Sequence, residues 1–172
     1  NNLTSGDGCD IACRLEAGWD CSANPAPCNP ICGDGLLVGA ENNTGRCDDR
    51  NTASGDGCNS GCFVEAGWMC TGAPSSCVPR CGDGLIVGTE NCDDGNGTSG
   101  DGCSGACQSE VGWTCAGQPS VCTTNYGDGL IHGMEGCDDH NTTPGDGCDA
   151  NCQIEIGWSC SGTPSTCTPS CG

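Results

Sequence analysis

The sequence is poor in most of what builds a conventional protein core. Its 172 residues include one Phe, one Tyr and four Trp, too little large apolar surface to offset the conformational entropy of ordering such a chain. A core of interdigitated aliphatic and aromatic side chains is therefore excluded. Basic residues are as scarce: four Lys and Arg stand against 23 Asp and Glu, for a formal charge of -19. Such a surface repels nucleic acid and anionic membranes and favours cationic partners. No apolar run approaches the ~20 residues of a membrane span, so direct membrane insertion is not expected, and a secretory leader would have to lie outside the sequence. Histidine occurs twice, at His132 and His140, which rules out a His-based acid-base or metal site repeated along the chain. Neither a G-x-S-x-G elbow nor a phosphate-binding loop is present. Paired carboxylates such as Asp93 and Asp94 occur on glycine turns with no aromatic-lined cleft, which argues against glycoside hydrolysis. The expectation is a protein that is not an enzyme.

What the chain has instead is sulfur and glycine: 22 Cys and 31 Gly. That cysteine content is a disulfide scaffold's and calls for an oxidising compartment. Thiolate clusters for zinc or copper storage need closer cysteine spacing than the ten-residue intervals found here. The sequence is a tandem array. "CGDGLLVGAE" at Cys32 aligns with "CGDGLIVGTE" at Cys81 and "YGDGLIHGME" at Tyr126, "GDGC" ends at Cys9, Cys58, Cys103 and Cys148, and "E-x-GW-x-C" ends at Cys21, Cys70, Cys115 and Cys160. The units are 1–31 (the C-terminal part of a repeat), 32–80 (with the inserted "NNTG"), 81–125, 126–170 (first Cys replaced by Tyr126) and 171–172 (the start of another). Residues 1–31 and 171–172 are complementary parts of one unit. They are expected to meet head-to-tail in a filament of identical chains, or to adjoin further repeats of a longer chain, with Cys171 near the Cys9–Cys28 segment of the neighbour.

Six cysteines per unit imply three bridges, each closing a loop of ~10 to 25 residues and contributing roughly 3 kcal/mol in the chain-entropy view. "CTGAPSSC", "CAGQPSVC" and "CSGTPSTC" set Gly and Pro between two cysteines at hairpin spacing, which pairs Cys70 with Cys77, Cys115 with Cys122 and Cys160 with Cys167. The other four cysteines allow three pairings. Tyr126 leaves one thiol over, nominally Cys148 or Cys152. "LIVG" at Leu85–Gly88 and "SEVGWTC" at Ser109–Cys115 carry the only strand-like content, and short β ladders are the most that can form. The fold class is thus small disulfide-rich tandem repeats, mostly loops and turns with short β-hairpins, stacked as an elongated rod without a sizeable hydrophobic core. The Trp of each "GW", together with Leu85, Ile86, Val87 and their counterparts, is expected to pack on the bridges.

"CGDGLIVGTENCDDGNGTSGDGCSGACQSEVGWTC" resembles the cysteine-rich repeat of myxobacterial surface proteins, also found in the metalloprotease pappalysin and in large extracellular proteins of protists. The resemblance covers essentially the whole chain and implies extracellular, non-catalytic modules; Tyr126 and the "NNTG" insertion depart from it.

The most conspicuous motif is the acidic loop. In one repeat its oxygen donors are Asp83, Glu90, Asp93, Asp94, Asn96 and Asp101; the same places hold Asp34, Glu41, Asp48, Asp49, Asn51 and Asp56, and again Asp128, Glu135, Asp138, Asp139, Asn141 and Asp146. Calcium takes six to eight oxygens at ~2.4 Å from flexible loops, whereas magnesium tolerates irregular protein cages poorly. The competing reading is that Asp-Gly pairs simply form and cap turns without an ion. Glycosylation sequons begin at Asn2, Asn96 and Asn141, at one repeat position, and at Asn42 in the insertion, so N-linked glycans are expected on these loops. Together these features point to a glycosylated, calcium-stabilised structural repeat at the cell surface or in a secreted filament. The alternative is an adhesive or protein-docking array within a larger secreted protein.

Overall fold

The computed structural model describes residues 5–23 and 27–170; the Asn2 sequon and the terminal pair 171–172, with the contact expected of Cys171, lie outside them. The chain separates into two compact units, Asn1–Arg80 with Val87–Thr89, and Cys81–Ile86 with Glu90–Gly172. The first holds two antiparallel hairpins, β1 (Trp19–Asp20) with β2 (Asn29–Pro30) and β3 (Trp68–Thr71) with β4 (Ser76–Pro79), and one 3₁₀ turn at Gly39–Asn42. The second holds β5 (Trp113–Ala116) with β6 (Val121–Thr124) and β7 (Trp158–Ser161) with β8 (Thr166–Pro169). Everything else among the described residues is turn, bend, isolated bridge or irregular chain. Disulfide-rich tandem repeats of loops and turns with short β-hairpins are what the sequence leads one to expect.

Each full-length hairpin is closed at its centre by its own disulfide. Cys70 faces Cys77, Cys115 faces Cys122 and Cys160 faces Cys167 in the ladder register, and each pair is bridged. Strand alternation puts Trp68 and Cys70 on the half-buried face and leaves Met69 and Thr71 exposed, the period-2 consequence of the pleat. The other bridges nest. The first cysteine of a repeat joins the fourth, as Cys32–Cys62 and Cys81–Cys107. The second joins the third, as Cys47–Cys58, Cys92–Cys103 and Cys137–Cys148. Sequence spacing left these pairings open.

Sulfur is the core. Among the described residues, the fully buried large side chains are Cys47, Cys58, Cys62, Cys92, Cys103, Cys107, Cys137, Cys148 and Cys152, joined only by Asp48, Asp93 and Asp138. One expectation needs correcting here. "LIVG" at Leu85–Gly88 is not a strand, because its backbone runs between glycine turns with no partner strand to pair. Leu85, Ile86 and Val87 are half-buried, whereas their counterparts Leu36 and Ile131 are 41% and 37% exposed. The segment's glycine makes a close packing contact. A Cβ on Gly88 would stand 2.8 Å from both Trp68 Cη2 and Pro79 Cγ, so the indole lies flush on that backbone. The same Trp borders the "GDGC" turn, where Gly57 (φ +110) has Trp68 Cε3 2.8 Å from its missing Cβ and Cys77 closer still. Only glycine has both the required φ and the required absence of bulk there.

The repeat that begins at Tyr126 lacks its first-to-fourth bridge, and Cys152 is left as a buried free thiol. Cys9 and Cys13 are also free and are exposed. Burial pushes the Cys152 thiol up to about 11, so it is protonated at neutral pH and a poor nucleophile. Cys152 is expected to resist alkylation in the native protein and to react on unfolding, while Cys9 and Cys13 react in both states. Tyr126→Cys should form a bridge to Cys152 analogous to Cys81–Cys107, whose partners are 26 residues apart, and raise stability by about 3 kcal/mol. Loss of the buried thiol in intact mass and a higher denaturation midpoint are the measurements; an unchanged midpoint with the bridge formed would contradict the estimate.

Candidate functional site

The acidic residues of each repeat fall into distinct places with distinct work. The first Asp of "CDD" is wholly buried in all three copies: Asp48, Asp93 and Asp138. Its carboxylate gathers backbone N–H groups from the two glycine turns around it. Asp93 Oδ2 accepts from Gly82 at 2.9 Å and Asp83 at 3.2 Å, and Oδ1 accepts from Gly84 at 2.9 Å and Gly95 at 2.8 Å. Asp48 takes the equivalent four donors, Gly33, Asp34, Gly35 and Arg50, and Asp138 takes Gly127, Gly129 and His140. Burial alone would push the Asp93 and Asp138 carboxyls up, but the accumulated N–H donors outweigh it and hold both below the usual carboxylate value, as expected for an anion in a ring of donors.

A second clamp comes from the Glu of "E-x-GW". Glu65 Oε2 accepts from Gly55 at 2.7 Å and Gly57 at 3.0 Å; Glu110 holds Gly100 and Gly102, Glu155 holds Gly145 and Gly147, and Glu16 holds Gly6 and Gly8 in the same way. The spacing of "E-x-GW" does not by itself disclose this task, nor does the sequence alone single out Ser75, Ser120 and Ser165, which are buried at the hairpin tips. Each hydroxyl accepts from the backbone N–H of Asp48, Asp93 or Asp138 at 3.0 Å and each serine N–H returns a bond to the same residue's carbonyl. The signal was present as a Ser after each "G-x-P".

The remaining donors of the acidic loop separate into turn caps and two carboxylate groupings. Asp34, Asp83 and Asp128 each accept from the N–H two residues on, the Asx turn of the competing reading. Glu41, only 4% exposed, sits with Asp48 and the Cys32–Cys62 bridge, ligand-type atoms all within 4.8 Å of one another. Glu90 and Asp93 meet Cys81 and Cys107 in the same arrangement, and Glu135 and Asp138 meet the free Cys152. Burial, then Asp48 and Asp34, push the Glu41 carboxyl up. Its Oε2 has no hydrogen-bond partner, and neither has Glu135 Oε1, although Glu135 Oε2 accepts from His132 N–H at 2.8 Å.

The second grouping is the other Asp of "CDD" with the Asp of "GDGC". Asn51 ties them together, its N–H donating to Asp49 Oδ1 and its Nδ2 to Asp56 Oδ2 at 3.0 Å. Asn96 does the same for Asp94 and Asp101; Asn141 Nδ2 reaches Asp146 at 3.2 Å. Asp56 Oδ1, Asp101 Oδ1 and Asp139 Oδ1 are buried atoms without a partner. Burial and then the Asp146 charge push the Asp139 carboxyl up. The six donors therefore do not converge on one point. Asp48, Asp93 and Asp138, taken from the sequence as ligands, spend their oxygens on backbone N–H groups, while Glu41 and Glu135 in the first grouping and Asp56, Asp101 and Asp139 in the second keep an unused oxygen. Asn recurs for a structural reason as well: Asn51, outside any sequon, makes the same bonds as Asn96 and Asn141.

The clamp predicts a pH response and a mutational one. Asp93 and Asp138 are lowered in the native state, so their stabilisation is complete above the unfolded value of 3.8 and is lost as pH falls through the lower native values. Glu41 and Asp139 are raised, so their charged forms oppose folding above those raised values, and protonation relieves this as pH falls toward 4. With disulfides intact and no divalent ion, the unfolding midpoint should rise slightly from pH 7 toward pH 4 and drop only below it. Asp93→Asn should cost about 3 kcal/mol, since its amide N–H₂ meets donors where the carboxylate accepted them. Chemical denaturation of the two proteins across pH checks both statements, and a variant of native stability would remove the clamp from the account.

No curated protein matches the chain. Residues 10–63, 65–108 and 106–153 each match one family, so the three matches together take in most of the sequence. The chain is a tandem array belonging to the family described as "Domain of unknown function (DUF4215)".

Proposed function

We propose that the chain is a non-catalytic extracellular structural module, a calcium-stabilised and glycosylated stretch of a surface filament or fibril. Nine disulfides among the described residues require an oxidising environment. Among the same residues no helix is long and apolar enough to cross a membrane. The resemblance to myxobacterial and pappalysin repeats supports the same setting.

The observation that carries the reading is an orphaned oxygen in each complete acidic loop, on the "GDGC" Asp in two of them, Asp56 and Asp101, and on the second "CDD" Asp, Asp139, in the other. Two carboxylates held by one Asn, on flexible glycine loops rich in carbonyls, supply hard oxygen ligands of the kind calcium takes, with water completing the shell. An ion there offsets the burial and the Asp146 charge that raise Asp139 and reduces the net charge of -19. Glycans fit the same surface. Asn42 is exposed, and an amide carrying a sugar keeps one N–H, so Asn96 and Asn141 can be modified without losing their bonds to Asp101 and Asp146. Head-to-tail contact between chains, or with adjoining repeats, would extend the array.

Calcium titrated by calorimetry into chelator-stripped, oxidised protein should bind at neutral pH and raise the melting temperature. Asp101→Asn should remove one site while leaving the fold intact, because Asp93 and Glu110 still hold the glycine turns. Absence of heat and an unchanged melting curve would return all three loops to the turn-only reading. Intact mass of natively secreted protein should fall on enzymatic deglycosylation, with Asn42 among the occupied sites; unmodified Asn at Asn42, Asn96 and Asn141 would end the glycan proposal.

A further inference from the structure

One stretch of the second compact unit breaks the repeat pattern, and its departures converge in space. Thr124 stands where Pro30, Pro79 and Pro169 stand in the other hairpins, Tyr126 where Cys32 and Cys81 stand, and Met134 where Ala40 and Thr89 stand. All three line a single cavity of about 270 Å³ with Trp113, Cys122, Thr123 and Gly133. His132, in the place of Val38 and Val87, sets its ring 6.2 Å from the Trp113 ring. In the repeats of Pro30 and Pro79 the proline and the indole border the same glycine, and the next cysteine, Cys32 or Cys81, is bridged. Here Thr124 presents only its Cγ2 toward the Gly133 position, the bridge is absent, and Tyr126 and Met134 stay 50% and 93% exposed. The walls are two aromatic rings, a thioether and methyl groups.

We infer that this cavity, walled by Trp113, Tyr126 and Met134, is a docking site for an arginine side chain on a basic segment of a partner protein. Drug-sized ligands occupy about 300–1,000 Å³, so the volume suits one long side chain. Charge selects which one. All four basic residues, Arg14, Arg46, Arg50 and Arg80, lie in residues 1–80, and residues 81–172 carry 13 carboxylates with no Lys or Arg. An apolar, aromatic-walled cavity in a strongly anionic body attracts a cation with an apolar stem, whose guanidinium stacks on indole and phenol faces. A second copy of the chain is a poor occupant, because residues 1–80 are themselves net negative, with ten carboxylates against the four arginines. The inference does not depend on calcium binding.

The chain has two methionines, Met69 and Met134, which makes methyl resonances of the full oxidised protein a direct readout in calcium-free buffer. Acetyl-Gly-Arg-Gly-amide should shift the Met134 methyl saturably and leave Met69 in place, while acetyl-Gly-Glu-Gly-amide and cellobiose should shift neither. Tyr126→Ala should weaken the response by about tenfold. Met134→Thr, which installs the residue of another repeat at an exposed position and keeps the fold, should do the same by calorimetry. A saturable shift with cellobiose and none with the arginine peptide would make this a carbohydrate site and overturn the proposal. So would peptide shifts that are equal at both methyls and indifferent to Tyr126→Ala, which indicate general charge attraction. A Met134 shift that grows with protein concentration alone would place a second copy in the cavity instead, and no shift at all would leave the cavity without this ligand.

Discussion

The structure depends on carboxylates that accept backbone N–H groups. A chain with 31 glycines and four two-stranded ladders turns constantly, and each turn leaves donors that no strand or helix can satisfy. Buried donors without acceptors are costly. Each complete repeat answers with two anions: an Asp that collects the "CGDG" turn and the segment after "CDD", and a Glu that collects the "GDGC" turn. The sequence's acidity is thus first of all an architectural requirement. Because the clamping anions sit in rings of N–H dipoles, they are stabilised in place without the basic residues that the chain lacks.

Sulfur supplies the second constraint. Disulfides restrict the unfolded chain where apolar burial cannot favour the folded one, and here they nest so that the second-to-third bridge of a repeat lies within the span of the first-to-fourth, as Cys47–Cys58 does within Cys32–Cys62. The buried Asp lies among these bridges, and the hairpin tip is tied to it through Ser75, Ser120 or Ser165. Bridge, clamp and hairpin are therefore one cooperative assembly in each repeat. Trp completes it by filling the space between the hairpin disulfide, the "GDGC" glycine and the "LxxG" glycine of the next repeat. The last of these contacts is why Val87–Thr89 group with the preceding compact unit while the sequence around them does not.

Cysteine periodicity and the scarcity of aliphatic residues made the fold class legible, because few other structures are open to such a chain. Hairpin spacing with Gly and Pro also marked the pairs Cys70–Cys77, Cys115–Cys122 and Cys160–Cys167. Nesting of the other bridges was not legible, since spacing weighs three pairings equally. Nor was the division of the acidic loop. Asp93 and Asp94 are adjacent and alike in composition, yet one is fully buried beneath backbone donors and the other is half-buried beside Asn96. Chain direction at a glycine turn separates them, and no donor count reports that. "LIVG" misled for a related reason: strand propensity describes fitness for a pleated, paired surface, and no partner strand exists there to pair with it.

Regularity and its exceptions carry different information in an array of this kind. Where Asp, Glu, Ser and Gly recur at fixed positions, hydrogen bonds tie them to the turns of each complete repeat, so recurrence speaks of folding before it speaks of ligands. The Asn at position 51, 96 and 141 illustrates the point, since its bonds are the same with and without a sequon. Departures from the pattern are released from that duty. The "NNTG" insertion is accompanied by Arg46 stacked 3.6 Å over the Phe63 ring, a cation–π contact that secures the enlarged loop. The change of Cys to Tyr at 126 has the opposite character: it removes a cross-link, strands Cys152 in the interior and leaves the new ring half exposed beside Trp113. A substitution that forgoes a bridge in a fold held together by bridges, yet leaves the other two bridges of that repeat and its Asp138 clamp in place, shows where the array has room to differ from itself.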